Sequence, residues 1–250
     1  MISITRKKFG ISINEIYFAE KLSSTSTSAT LRFYVQAKHP HPNLVPFKTQ
    51  VVDLTKSTDS LSKAISKSTH YKIKRAEREG FSPRISLNPT PHEATLYALY
   101  YDTFATQKKL PLCNRVKLRA LATTGSLILS SVSDQEGNLL AAHAYVKDGE
   151  IGRARLLYSA SHFRGLNDPN ARNKIGMANR LLHWFEILSL KQEGLRSYDL
   201  GGIPLDETDK AKMDIARFKL EFGGEPVIEY NGFIPQSQLG RLIAPFARRR

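Results

Sequence analysis

Lys219 stands in the stretch ARFKLEFGG, residues 216–224, where helical spacing calls for a core residue. Ile215, Phe218, Lys219 and Phe222 fall at i, i+3, i+4 and i+7, the positions of a core-facing stripe. Two readings stand for this lysine. Its stem snorkels past Phe222 and delivers the charge to water, or its aromatic flanks fix a cation where negative charge develops. Asp199 ends a strand just before Gly201-Gly202, a place where ligand chemistry collects in α/β sheets. Its carboxylate can hold, or take a proton from, an ammonium group, and it can equally cap the turn through the glycines. Tyr158 is a proton donor to a leaving group or a half-buried aromatic. His143 shares a strand face with Tyr145 and is a candidate general base. His183 is expected in solvent, beside Arg180 and Glu186 on the polar side of its helix.

Other chemistries find little footing. There is no GxSxG stretch, and the single cysteine, Cys113, lies in LPLCNRV with no histidine beside it. One cysteine excludes an internal disulfide and a thiolate zinc site. His39 and His41 flank one proline without accompanying carboxylates, so no metal is expected.

The elements that must position these residues follow from pattern. QVVDL reads as a buried strand, and residues 58–80 read as one long basic helix stopped by Gly80. FSPRISL is a strand whose Pro83 places it near a sheet edge. A helix starts at Pro91. SLILSSVSD, NLLAAHAYVKDG and EIGRARLLYSA then form three consecutive strands, the last two joined at Asp148-Gly149. A two-residue turn there sets His143 opposite Ala154 and Ala142 opposite Arg155. One face then carries Leu139, His143, Tyr145, Leu156 and Tyr158. The other sets Arg153 and Arg155 beside Ala142 and Ala144, with room for a ligand above them. A helix over IGMANRLLHWFEILSLKQEG, the strand LRSYDLGG, a helix through 209–222 and the strand PVIEYNGFI complete a mixed α/β order.

Lys and Arg outnumber Asp and Glu by 37 to 23, a net charge of +14. That excess points to an anionic partner: nucleic acid, a membrane surface or a phosphate-rich ligand. The start, MISITRKKFGISINEIYF, has no uninterrupted apolar core, and no stretch approaches the roughly 20 apolar residues that span a bilayer. A cytoplasmic protein is expected, with peripheral contact at the inner face of the membrane an option for the basic tail near Phe246.

Three stretches in order, HYKIKRAEREGF, SYDLGGI and IARFKLEFGGE, with the strand meander between the first two, resemble the Fem-like branch of the GNAT acyltransferases. The resemblance covers roughly residues 45–235. It implies an α/β (α+β) fold with a mixed, largely antiparallel twisted sheet flanked by helices. It implies an N-terminal portion over 1–50, an acyltransferase domain over 51–235 and a basic tail over 236–250. In that superfamily the helix after the meander receives the pyrophosphate of acyl-coenzyme A on its backbone amides, as helix N-termini do with anions generally. NKIGMA holds the matching slots, so Arg172, Asn173, Lys174, Gly176 and Ala178 are the expected cofactor contacts. The first slot departs from the family's Gln or Arg. The branch's cell-wall enzymes usually hold two such units, and 250 residues have room for one complete unit and a reduced N-terminal half. That favours an acyl thioester such as acetyl-CoA as donor, with an amine on a sugar nucleotide, lipid-linked sugar or cell-wall precursor as acceptor. Charged tRNA is the alternative donor, and a basic binding protein without catalysis is the alternative class. Lys219, Asp199 and Tyr158 are the candidate catalytic residues; Arg153, Arg155, His143 and Tyr145 are the candidate acceptor contacts. The resemblance places Lys219 beside the end of the substrate cleft.

Overall fold

The computed structural model describes residues 1–8, 10–22, 28–161, 168–206 and 210–247. The chain opens with four strands, β1 (Ile2–Lys8), β2 (Ile11–Tyr17), β3 (Leu31–Ala37) and β4 (Val45–Asp53). Helices α1 (Thr58–Ala64) and α2 (Lys67–Arg78) lead to β5 (Ser82–Ser86), then to α3 (Pro91–Gln107) and α4 (Arg115–Thr123). The meander is β6 (Leu127–Ser133), β7 (Leu139–Asp148) and β8 (Arg153–Ser161). After it come α5 (Pro169–Gln192), β9 (Ser197–Gly202), α6 (Lys210–Leu220), β10 (Glu225–Pro235) and α7 (Gln238–Ala247). All ten strands join one sheet in the order β1-β2-β3-β10-β4-β9-β8-β7-β6-β5. Only β2–β3 and β8–β9 run parallel; the other pairs are antiparallel. The expected mixed, largely antiparallel sheet flanked by helices is what the chain forms, with Pro83 on the edge strand.

Local chemistry sets several boundaries. α3 starts at Pro91 behind a capping box: Thr90 accepts from the Glu93 amide, and the Glu93 carboxylate accepts from the Thr90 amide. The basic helix expected over 58–80 is two helices. Ile65 is extended at the break, and Ser66 caps α2 by accepting from Thr69 N at 3.2 Å. The Ser66 amide in turn donates to Glu221 O, which locks the break to the far end of α6. β1–β3, α4 and α7 are additions to the expected order.

The hairpin β7–β8 differs from the two-residue turn. Its turn is four residues, 149–152, organised by Asp148 Oδ1, which accepts from the amides of Glu150 and Ile151. Val146 therefore faces Arg155 and Asp148 faces Arg153. A bulge then leaves Leu157 unpaired between Ala144↔Tyr158 and Tyr145↔Leu156. One inserted residue moves Tyr158 to the opposite face of the sheet from His143 and Tyr145.

Two main cores cover the two faces. Tyr97, Tyr101, Phe104, Leu118 and Leu121 of α3 and α4 pack on Ala142, Ala144 and Val146. Ile187 and Leu190 of α5, with Phe222, pack on Ile128, Tyr145, Tyr198 and Leu200. Each buried leucine, isoleucine, valine or phenylalanine among them contributes about 1.5–3 kcal/mol before conformational entropy is set against it.

The α5 face also holds a polar cluster that corrects the expectation of a solvated His183. His183 and Glu186 are buried, one helical turn apart, and face the sheet. Glu186 Oε2 accepts from Tyr145 at 2.5 Å and from Tyr198 at 2.7 Å. Its Oε1 accepts from the Ser130 hydroxyl and lies 2.8 Å from His143 Nδ1. His143 Nε2 meets Asn179 Oδ1 at 2.9 Å, and His183 Nδ1 meets the Tyr198 hydroxyl at 2.6 Å. Burial pushes the Glu186 carboxyl up, but its His143 and His183 contacts outweigh that and hold it well below the usual range. Burial, then His143, push His183 down to about 4.

Two stability measurements check this account. Gly224 has φ +82°, and a Cβ there would lie 2.3 Å from the Val51 carbonyl oxygen. Gly224→Ala is expected to lower the melting temperature by about 6–12 °C, corresponding to about 3 kcal/mol. For His183, the unfolded side chain titrates near 6.5 and the folded one about 4, so the unfolded state binds more protons between those values. Stability is therefore full above pH 6.5 and falls as pH drops, by roughly 2–3 kcal/mol down to pH 4.5. His183→Asn, whose amide still reaches Tyr198, flattens that segment of the thermal-melting profile.

Candidate active site

The parallel ladder between β8 and β9 stops early. It contains only Arg153↔Ser197, Ala154↔Tyr198 and Arg155↔Asp199, although β8 runs on to Ser161 and β9 to Gly202. The bulge at Leu157 turns β8 away, while β9 stays with β4 through Val51↔Asp199 and Thr49↔Gly202. Beyond the last rung the two facing strand edges share no further ladder pair. Gly201, at φ +79°, sits where they part; a Cβ on it would lie 3.4 Å from Leu156 O and 3.6 Å from Lys219 Nζ.

Lys219 projects from α6 into this opening. Its ammonium donates to Gly202 O at 2.7 Å, and the side chain is largely buried. It does not snorkel. Burial, with the Arg155 charge adding to it, pushes the amine down to about 8, while Asp199 works the other way. The apolar stripe expected around it is only half realised. Phe222 is buried and Phe218 packs on His183, yet Ile215 is 51% exposed.

Arg155, on the last rung, is the second cation of the opening. Its Nε is buried without a hydrogen-bond partner among the described residues, and its guanidinium lies 5.6 Å from the Phe47 ring centroid. The same ring fills the place of a Gly202 side chain, 2.8 Å from where a Cβ would be. Arg153, expected to be equivalent, has a different situation. It bridges Asp199 at 2.6 Å and Glu229 at 2.6 and 2.7 Å, and it lies over the Phe18 ring.

Asp199 is wholly buried. One oxygen accepts from Thr49 Oγ1 at 2.5 Å and from the Gly201 amide at 2.7 Å. The other accepts from Gln36 Nε2 at 2.7 Å and from Arg153 at 2.6 Å. Burial pushes the carboxyl up, but Arg153, Arg155 and the bonds from Thr49 and Gln36 outweigh it and keep it ionised. Gln36 holds its position at φ +56°, an uncommon conformation for a residue with a side chain. Capping of the glycine turn is present in the Gly201 bond. The carboxylate exposes no surface to an acceptor ammonium.

The other expected contacts lie elsewhere. Tyr158 packs edge-on against Tyr101 on the α3 side, and its hydroxyl accepts from the Asn114 amide at 3.2 Å. Burial pushes the pKa of its hydroxyl up, further from neutrality. His143 and Tyr145 belong to the Glu186 cluster and are fully buried, so they meet no acceptor directly. His143, His183 and Glu186 each bring a ligand-type atom within 4.8 Å of one another. Those atoms already bond to each other and to tyrosine hydroxyls, which a cation would have to displace. Of the NKIGMA set, none opens a helix. α5 begins at Pro169 behind the Asp168 cap, so Gly176 and Ala178 lie in its interior with their amides turned into the helix. Lys174 pairs with Asp134 at 2.8 Å; Arg172 and Asn173 are exposed in the first turns. Sequence reasoning missed Gln36, Thr49 and Glu229. Their signal, polar residues on otherwise apolar strands, is visible only once the strand order is known.

No protein-family model matches the chain, and no curated protein sequence matches it. Among solved structures, FemX superposes with a TM-score of 0.63 at 12% identity, covering 97% of this chain and 86% of FemX. The C-terminal domain of a protein assigned as a lysylphosphatidylglycerol synthetase from Agrobacterium fabrum gives 0.53 at 13% identity, covering 87% and 71%. L-PGS from Bacillus licheniformis gives 0.53 at 15%, covering 86% and 73%. With the meander, the bulge and the parted β8–β9 ladder in hand, these similarities show that the chain has the fold of FemX, the GNAT-like fold.

Proposed function

We propose that the chain is an N-acyltransferase that moves an acyl group from acyl-CoA to an amine on a phosphorylated sugar or cell-envelope precursor, with residues 51–235 as the catalytic portion. The observation that carries this reading is the parted ladder with Lys219 and Arg155 at its opening. Two strand edges that stop pairing with each other can pair with an extended, amide-bearing arm, the logic of β-strand addition. Coenzyme A has such an arm and ends in phosphates. The first turns of α5, where Arg172 is exposed, are the helix end that would meet them.

Attack of an amine on a thioester develops negative charge on the carbonyl oxygen and then on the departing sulfur. Lys219, charged below about pH 8 and shielded from water, serves there as the electrostatic partner. Arg155, which unlike Arg153 bridges no carboxylate among the described residues, binds the anionic part of the acceptor. Arg153 and Asp199 act through position: they hold the rung at which the ladder ends.

Thermal shift separates the donors. Acetyl-CoA at about 100 times its dissociation constant should stabilise by about 2.7 kcal/mol, a rise of roughly 5–10 °C. A shift with charged tRNA and none with any acyl-CoA would overturn the acyl-CoA donor. For the site, Lys219→Met is expected to lower kcat by about 10²–10³ with little change in KM for the donor. Wild-type kcat should fall as pH rises through about 8, where Lys219 loses its charge. Lys219→Arg should remove that fall, because a guanidinium stays charged. An alkaline limb shared by wild type and the arginine variant would assign it to another group.

A further inference from the structure

The last helix of the chain is built the wrong way round for a soluble protein. α7 turns Leu239, Leu242 and Phe246 outward, 54%, 71% and 72% exposed. Those three, at i, i+3 and i+7, share one helical face. The side packed on the sheet instead presents Gly240 and Ala244, with Ile243 at its margin. The helix cannot roll to bury the larger residues. A Cβ at Gly240 would lie 2.2 Å from Thr30 O, so only glycine permits this approach. The Gly240 amide is also held by Ser237 Oγ at 3.0 Å.

Charge borders the apolar face. Arg241 is exposed beside it, and Arg248, Arg249 and Arg250 follow in sequence, in a chain of net charge +14. An apolar face flanked by arginines is the pattern of a helix that lies in a membrane interface, with aromatic and leucine side chains in the acyl boundary and cations at the headgroups. A second copy of the chain would bring two copies of exposed Arg241 and two net charges of +14 together, which like-charge repulsion opposes. No helix among the described residues is long and apolar enough to cross a membrane, so this contact is one of lying on the surface.

We infer that α7 docks the protein on an anionic lipid surface through Leu239, Leu242 and Phe246. The inference stands on the helix alone and does not depend on the reaction proposed above. Sedimentation of the full chain with vesicles tests it, comparing phosphatidylcholine alone with a 7:3 mixture of phosphatidylcholine and phosphatidylglycerol. Binding to the anionic vesicles should be at least tenfold tighter and should weaken as salt rises from 50 to 500 mM. Leu242→Ser with Phe246→Ser should reduce it more than tenfold while leaving the melting temperature unchanged, because both side chains are exposed. Equal binding to both vesicle types, or undiminished binding by the double variant, would overturn the inference. So would a wild-type dimer in light scattering that the double variant dissociates, because the face then belongs to a second copy. Turnover of a soluble acceptor by the double variant, read in parallel, reports on the reaction separately.

Discussion

A fully buried carboxylate holds the middle of this sheet together. Asp199 takes donors from β3, β4, β8 and its own strand, and through Gln36 and Arg153 it connects to Glu229 on β10. Five of the ten strands therefore meet at one ion. Removing one partner from such a cluster leaves a buried charge uncompensated, which typically costs about 3–5 kcal/mol. The cluster makes a demand on geometry as well. Satisfying Asp199 requires Gln36 at positive φ and Gly201 in the left-handed region, and both are found there. The ladder between β8 and β9 ends at the same residue, so the ion that ties the strands also marks where they part.

Charge at the opening follows from that arrangement. Arg153, Arg155 and Lys219 face Asp199 and Glu229, three cations against two carboxylates. Arg153 is neutralised twice over. The remaining excess rests on Arg155 and Lys219, both beside the parted edges. The whole-chain charge of +14 pointed to an anionic partner in general terms, and Arg155 and Lys219 are two of the cations that make no ion pair with a carboxylate among the described residues.

The meander, the helix starting at Pro91 and the edge position of Pro83 were legible because each rests on local chemistry: alternation, a cap, a missing amide. The hairpin register was not. Asp148-Gly149 suggested a two-residue turn, but the Asp148 side chain organises four residues instead, and a bulge at Leu157 follows. Neither leaves a mark in hydrophobic period; the turn changes which residues pair, and the bulge alone puts Tyr158 on the opposite face from His143. His183 and Glu186 were misread for a related reason. A polar stripe on a helix looks solvated until the opposing strands are known to offer Ser130, Tyr145 and Tyr198. Lys219 was legible as an anomaly, since a cation breaks the apolar stripe. Its partner Arg155 could not be told from Arg153, because only the sheet order brings Glu229 to one of them.

The burial of Lys219 carries a consequence for any reaction it supports. An ammonium shielded from water interacts more strongly with a developing negative charge, because little solvent screens the pair. The same shielding disfavours the charged form of the lysine and brings it down to about 8. The two effects have one cause and cannot be tuned apart by burial alone. Asp199 moderates the conflict: its ionised carboxylate favours the lysine cation, while Arg155 opposes it. Loss of Asp199 would therefore act on the reaction without any contact between the carboxylate and the substrate. It would unpin the rung where the ladder ends and also drive Lys219 toward its neutral form. A residue that reads from sequence as a base thus influences acid–base chemistry through the charge state of another.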